Sequence, residues 1–139
     1  MSETRVVFED FSKDVIEKMK NEIIAGLHEA SGEVLAAAIS NTPVDTSQLK
    51  NSWAYKVDEN KLEAAIGNPL ERAIWAEFGT GEYALNGNGR KGGWLYEDRH
   101  GETHFTKGQR PKRMLHNAFV SEKQTIRKAI ERRVENLDK

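Results

Sequence analysis

The chain has 139 residues and a net charge of −1, which suits one domain and gives no overall pull toward nucleic acid. It has no cysteine, which excludes a disulfide framework, thiolate metal sites and a cysteine nucleophile. No apolar run approaches about 18 residues and the first residues lack a signal-peptide core, so the expectation is a cytosolic chain without a membrane span.

Residues 1 to 11 are mixed, with Val6, Val7, Phe8 and Phe11 able to pack. Ser12 is a suitable N-cap and Asp14 suits the positive end of a helix dipole. Val15, Met19, Ile23, Leu27, Ala30, Val34 and Ala37 or Ala38 then recur at spacings of three and four, which predicts a helix over about 12–41. Gly26 and Gly32 weaken it unless they permit close packing. Pro43 ends it, and Asp45 or Thr46 can cap a short turn holding Leu49. Trp53, Tyr55 and Val57 alternate with polar or small residues, as do Leu62, Ala64 and Ile66, so about 52–67 reads as a hairpin.

After Gly67-Asn68-Pro69, Leu70 to Phe78 reads as a short helix or strand running into Gly79-Thr80-Gly81. The stretch Trp75-Ala76-Glu77-Phe78-Gly79-Thr80-Gly81 is the most informative in the chain: two aromatics flank an acid and end abruptly on glycines. Six glycines between Gly79 and Gly93 predict a mobile loop over about 79–93. In it Tyr83 is the expected anchor for a partner, and Arg90 and Lys91 the expected steering charges. Trp94 to Glu97 and Thr103 to Thr106 flank a polar turn and read as a second hairpin, about 94–106. Leu115, Phe119, Ile126, Ile130, Val134 and Leu137 then define the stripe of a C-terminal helix over about 112–137. Leu27 and Phe119 are the expected core contacts between helix and sheet. From Lys107 onward there are ten Lys/Arg against four Asp/Glu, and eleven against eighteen before it. Such a split suits either a basic helix lying on an acidic body or one molecule steered onto another.

The chemistry-bearing motifs are few. Gly87-Asn88-Gly89-Arg90-Lys91-Gly92 matches Gly-x-Gly-x-x-Gly literally, but Trp94-Leu95-Tyr96 follows as strand, where a dinucleotide site needs a helix N-terminus. His100 and His104 lie across a turn with no third ligand in view, so no metal is expected. Ser47 and Ser52 have no histidine nearby in sequence, and no acid pair stands out. The expectation is a non-enzyme without cofactor. Both amphipathic helices and both hairpins bury their apolar faces if the helices pack on one antiparallel sheet, which predicts a single α+β domain.

Four blocks carry a resemblance: Thr42-Pro43-Val44-Asp45-Thr46 with Leu49; Trp75 to Gly81; Gly92-Gly93-Trp94; and Thr106-Lys107-Gly108-Gln109-Arg110-Pro111. In that order, over residues 12 to about 130, they resemble the tailed-bacteriophage "gene product 10" tail-component family. The chain departs from its pattern at Ser47, Lys50 and Arg113-Met114. The resemblance implies a phage or prophage structural protein of the neck or tail, for tail completion or head–tail joining. It implies assembly in the host cytoplasm into a homo-oligomer, commonly a ring, alongside other neck or tail proteins, with any DNA contact non-specific. Trp75, Glu77, Phe78, Gly79, Thr80, Gly81, Tyr83, Arg90 and Lys91 are the candidate interface residues. The alternative is a nucleic-acid-binding module that uses the basic C-terminal helix, marked by binding that weakens steeply with salt.

Overall fold

Residues recurring every four positions make one side of the first helix narrow enough for other elements to approach. In the computed structural model, which describes residues 12–43 and 47–138, helix α1 spans Ser12–Asn41 and buries Gly26, Ala30, Ser31, Val34 and Ala38. The packing residues Val6, Val7, Phe8 and Phe11 and the capping candidates Asp45 and Thr46 lie outside the described residues. Val15 and Met19, expected on the buried stripe, are exposed instead. Burial is concentrated in the second half of the helix, where other elements reach it. A Cβ on Gly26 would stand 2.9 Å from Ile130 Cδ1, so Gly26 does permit close packing, whereas Gly32 faces open space. An 18-residue window of α1 reaches a mean hydropathy of 1.2, long and apolar enough by composition to cross a membrane. His28, Glu29 and Glu33 interrupt the second half of the helix, so it is not one unbroken apolar run. In the fold, Val34 and Ala38 of this helix supply core.

A short helix α2, Ser47–Asn51, follows and buries Leu49. Strands β1 (Ala54–Asp58) and β2 (Glu63–Gly67) pair antiparallel, with Tyr55 opposite Ile66 and Val57 opposite Ala64. The turn between them is fastened by Asp58 Oδ1, which accepts the N–H groups of Asn60 and Lys61 at 3.0 and 3.1 Å. Helix α3 (Glu71–Phe78) leads through a single 3-10 turn, Gly81–Tyr83, toward strands β3 (Trp94–Glu97) and β4 (Thr103–Thr106). These also pair antiparallel, with Leu95 opposite Phe105. The elements are those of an α+β fold, but the two hairpins form two separate two-stranded sheets rather than one. The first hairpin lies on α1, and the second makes no extensive contact with any helix.

The C-terminal segment, expected as one helix, is two: α4 (Met114–Ser121) and α5 (Lys123–Glu135). They meet at Glu122, where ψ is 8°, although Glu122 and Ile126 still donate to the carbonyls four residues back. Both pack along α1. Arg132 Nη2 reaches Glu29 Oε1 at 2.8 Å, and Arg133 reaches Glu29 at 3.5 Å and Glu22 at 3.9 Å. The basic last helix therefore lies on acids of its own chain.

The core gathers Val34 and Ala38 of α1, Leu49, Trp53, Ala73 and Ala76 of α3, and Met114 and Ala118 of α4. Its polar groups are paired. Trp53 Nε1–H donates to Thr42 Oγ1 at 2.8 Å, and that hydroxyl donates to Ala38 O at 2.7 Å. Leu27 is half-buried and Phe119 is 42% exposed. Neither is the central contact expected, because Ala118, one residue away, turns inward and carries Phe119 outward. Met114→Ala is expected to cost about 2–5 kcal/mol and Phe119→Ala less than about 1 kcal/mol. Urea denaturation that gives the two equal costs would return Phe119 to the core.

Candidate functional site

Helix α3 is amphipathic in the reverse of the usual sense. Its inward side carries Ala73, Ala76 and Glu77, while Ile74, Trp75 and Phe78 face out. Trp75 is 47% and Phe78 49% exposed. An exposed cluster of large apolar side chains and a buried acid are the two departures from ordinary burial that call for a specific cause.

The acid has one. Glu77 is 7% exposed, and its carboxylate accepts the N–H of Leu115 at 2.8 Å and of His116 at 2.9 Å. These are first-turn donors of α4, which have no partner within the helix. The residue at the N-cap, Arg113, is left-handed (φ 51°) and supplies no side-chain cap. Glu77 caps α4 from a different helix, with negative charge at the positive end of the helix dipole. The Arg113 guanidinium stands 4.0 Å from Glu77 Oε1 and lies over the Phe78 ring at 5.3 Å.

Beyond Phe78 the backbone is tied to the segment before α4. Lys112 N–H donates to Ala76 O at 2.7 Å, Thr80 N–H to Gln109 O at 2.9 Å, and Glu82 N–H to Lys107 O at 2.9 Å. Gln109 N–H returns a bond to Thr80 Oγ1 at 2.8 Å. The pairs run in opposite directions, so residues 76–82 and 107–112 form an irregular antiparallel strap. Two glycines make its closeness possible. A Cβ on Gly81 (φ 60°) would collide with the Lys107 carbonyl, and one on Gly108 (φ 120°) with the Thr80 carbonyl. Here the need for glycine is steric as well as conformational.

The strap changes the reading of the loop over 79–93. Its first part is held by its own chain: Leu85 N–H donates to Phe78 O at 3.0 Å, and Gly89 rests against the Gly81 carbonyl. Tyr83 is half-buried with the Arg110 guanidinium over its ring at 4.6 Å, so it is anchored internally where a partner was expected to hold it. Arg90 is exposed but stacks on Trp94 at 5.5 Å; Lys91 is exposed. Of the candidate interface residues, Trp75 and Phe78 are on the surface and Thr80 is half-buried beside them. Glu77 and Gly81 are buried and structural, and Gly79 is the α3 C-cap. Between the aromatics and the loop lies a groove of about 310 Å³ lined by Ile74, Trp75, Phe78, Thr80, Asn86 and Asn88. Ile74 and the two asparagines were missed in the sequence.

Among the described residues one group could offer metal ligands: Asp98, Glu102 and His104, with ligand atoms within 4.8 Å of one another. The fold brings His104 to Asp98, not to His100. Asp98 is already engaged, since its Oδ1 accepts the N–H groups of His100 and Glu102 at 2.8 and 2.9 Å. Its Oδ2 accepts from His104 Nε2 at 2.7 Å. That network accounts for the cluster as the fastening of the β3–β4 turn. The His104 bond first, then the backbone N–H groups, hold the Asp98 carboxyl below the usual carboxylate range.

A model of the family described as "Bacteriophage HK97-gp10, putative tail-component" matches residues 7–79. The match takes in α1, the first hairpin and α3 with its Gly79 cap, and ends before the strap's second segment. No curated protein and no solved structure gives a match.

Two outcomes are expected. Glu77→Ala leaves two helix-end donors without their buried acceptor and is expected to cost about 1–3 kcal/mol, with amide exchange rising first at Leu115 and His116; unchanged exchange there would remove the cap. An acid group with a depressed folded value stabilises above its unfolded range and loses that contribution as pH falls through the folded value. The amides of His100 and Glu102 are therefore expected to lose protection only below the usual carboxylate range, and Asp98→Asn to flatten that dependence. Loss of protection already near neutrality would show that another group holds the turn.

Proposed function

The chain belongs to the HK97-gp10-like bacteriophage tail-component family, and on that premise we propose that it acts by assembly at the junction of head and tail, as a ring of copies joined to other neck and tail proteins. Assembly starts in the host cytoplasm and ends in the virion neck. The work is binding rather than catalysis. The observation that carries this reading is the outer face of α3: Ile74, Trp75 and Phe78, with Leu85 beside them, expose large apolar surface on a rigidly held helix.

The physical case has two parts. Exposed aromatics are costly in a lone soluble molecule and are the residue type that contributes most to interfaces. A surface fixed before binding also loses little entropy on association, and the Glu77 cap and the strap fix this one. The split of charge along the chain adds steering between copies. The nucleic-acid alternative has less to draw on, because Arg127 is engaged with Glu131 at 2.9 Å and Arg132 and Arg133 with Glu29.

Light scattering over a concentration series is expected to show species larger than the 15.7 kDa monomer. Trp75→Ala with Phe78→Ala is expected to shift the distribution toward monomer while lowering stability by less than about 1 kcal/mol each. A parent chain that stays monomeric at every concentration would overturn self-assembly. An unshifted double variant would take α3 out of the interface.

A further inference from the structure

Hairpin β3–β4 carries a second apolar surface, separate from α3. Leu95 and Phe105 face each other across the strands and are 69% and 61% exposed. Side chains alternate along a strand, so Glu97 shares their face. A two-stranded hairpin is marginal in isolation, and this one gains no extensive contact from any helix of its own chain. Elsewhere, α1, β2, α4 and α5 leave an apolar groove of about 160 Å³ between them, with Leu27, Val34, Ile66, Phe119 and Ile126 in its lining. Lys123 stands between the groove residues Phe119 and Ile126, four after the first and three before the second, and is exposed.

We propose that the Leu95–Phe105 face of one copy seats in this groove of the next copy, with Glu97 meeting Lys123. The inference rests on the self-assembly reading and supplies its geometry. The two surfaces match in character: an apolar pair with an acid two residues along, against an apolar groove with a base one helical turn along. Neither Glu97 nor Lys123 forms an ion pair among the described residues. Unlike charges that lack partners within a chain are available to pair between chains. The hairpin carries Glu97, Asp98 and Glu102 against Arg99, while Lys123 and Lys128 are the α5 bases outside the ion pairs, so the wider fields also attract. Because hairpin and groove are different surfaces, the contact is heterologous, and repetition of a heterologous contact generates a ring when the rotation closes.

The test is a charge exchange on the full chain, read by sedimentation velocity. Glu97→Lys and Lys123→Glu sit on exposed side chains, and circular dichroism on each checks that the fold is kept. Each single change is expected to weaken association by at least roughly tenfold, because it sets like charges opposite each other. The double exchange, Glu97→Lys with Lys123→Glu, is expected to restore it, and so is an equimolar mixture of the two singles in pairwise contacts. Because the chain has no cysteine of its own, Leu95→Cys and Phe119→Cys give a second reading. Mixed and oxidised, they are expected to form a cross-linked dimer that neither forms alone. If the parent assembles but the singles match it and the mixture does not cross-link, the hairpin contact is wrong and self-assembly stands. If each cysteine variant cross-links with itself, the contact is two-fold and the head-to-tail proposal is overturned. A parent that never assembles overturns both.

Discussion

A single carboxylate decides where the surface helix points. Glu77 sits on α3 but serves α4, filling the place that a Ser, Thr, Asp or Asn would ordinarily take at the N-cap. Because its own helix turns Ala73 and Ala76 inward beside it, the larger residues Ile74, Trp75 and Phe78 have only the outer side left. Exposure of the aromatics is thus not a failure of packing. It follows from using the inner side of an eight-residue helix for small residues and an acid, which lets α3 lie close against the start of α4.

The strap extends the same constraint into the glycine-rich segment. Hydrogen bonds from Lys112, Gln109 and to Lys107 join stretches some thirty residues apart in sequence, and they form only because Gly81 and Gly108 let two backbones approach within a side chain's width. The stacked cations repeat a local pattern: Arg113 on Phe78, Arg110 on Tyr83 and Arg90 on Trp94. Each places a charge over an aromatic that would otherwise be more open to water, a favourable contact even at exposed sites. These pairings lay charge over the rings without burying them.

How far the sequence could be read follows from the range of the forces involved. Periodicity and turn residues identified the long helix, both hairpins and the C-terminal helical segment, because each depends on neighbours within a few positions. The tail-component family could be named from Thr42-Pro43-Val44 and the Trp75 to Gly81 block. What escaped was long-range. Phe119 has the right spacing for a core stripe, yet Ala118 and Met114 take the buried places. Glu77 reads as an interface acid, since nothing near it announces donors at Leu115 and His116. The loop from Gly79 reads as free because its restraints lie at Lys107 and Gln109. Side-chain alternation in Trp94-Leu95-Tyr96-Glu97 does show that Leu95 and Glu97 share a face, but only the separation of the two sheets shows that the face is open.

The antiparallel strap also has a mechanical meaning. A force that slides residues 76–82 lengthwise along residues 107–112 would meet the bonds at Ala76, Thr80 and Glu82 side by side rather than one after another. Bonds loaded together must break together, whereas bonds peeled from one end give way singly. The strap therefore resists load applied along its length while remaining easy to unzip from the Glu82 end.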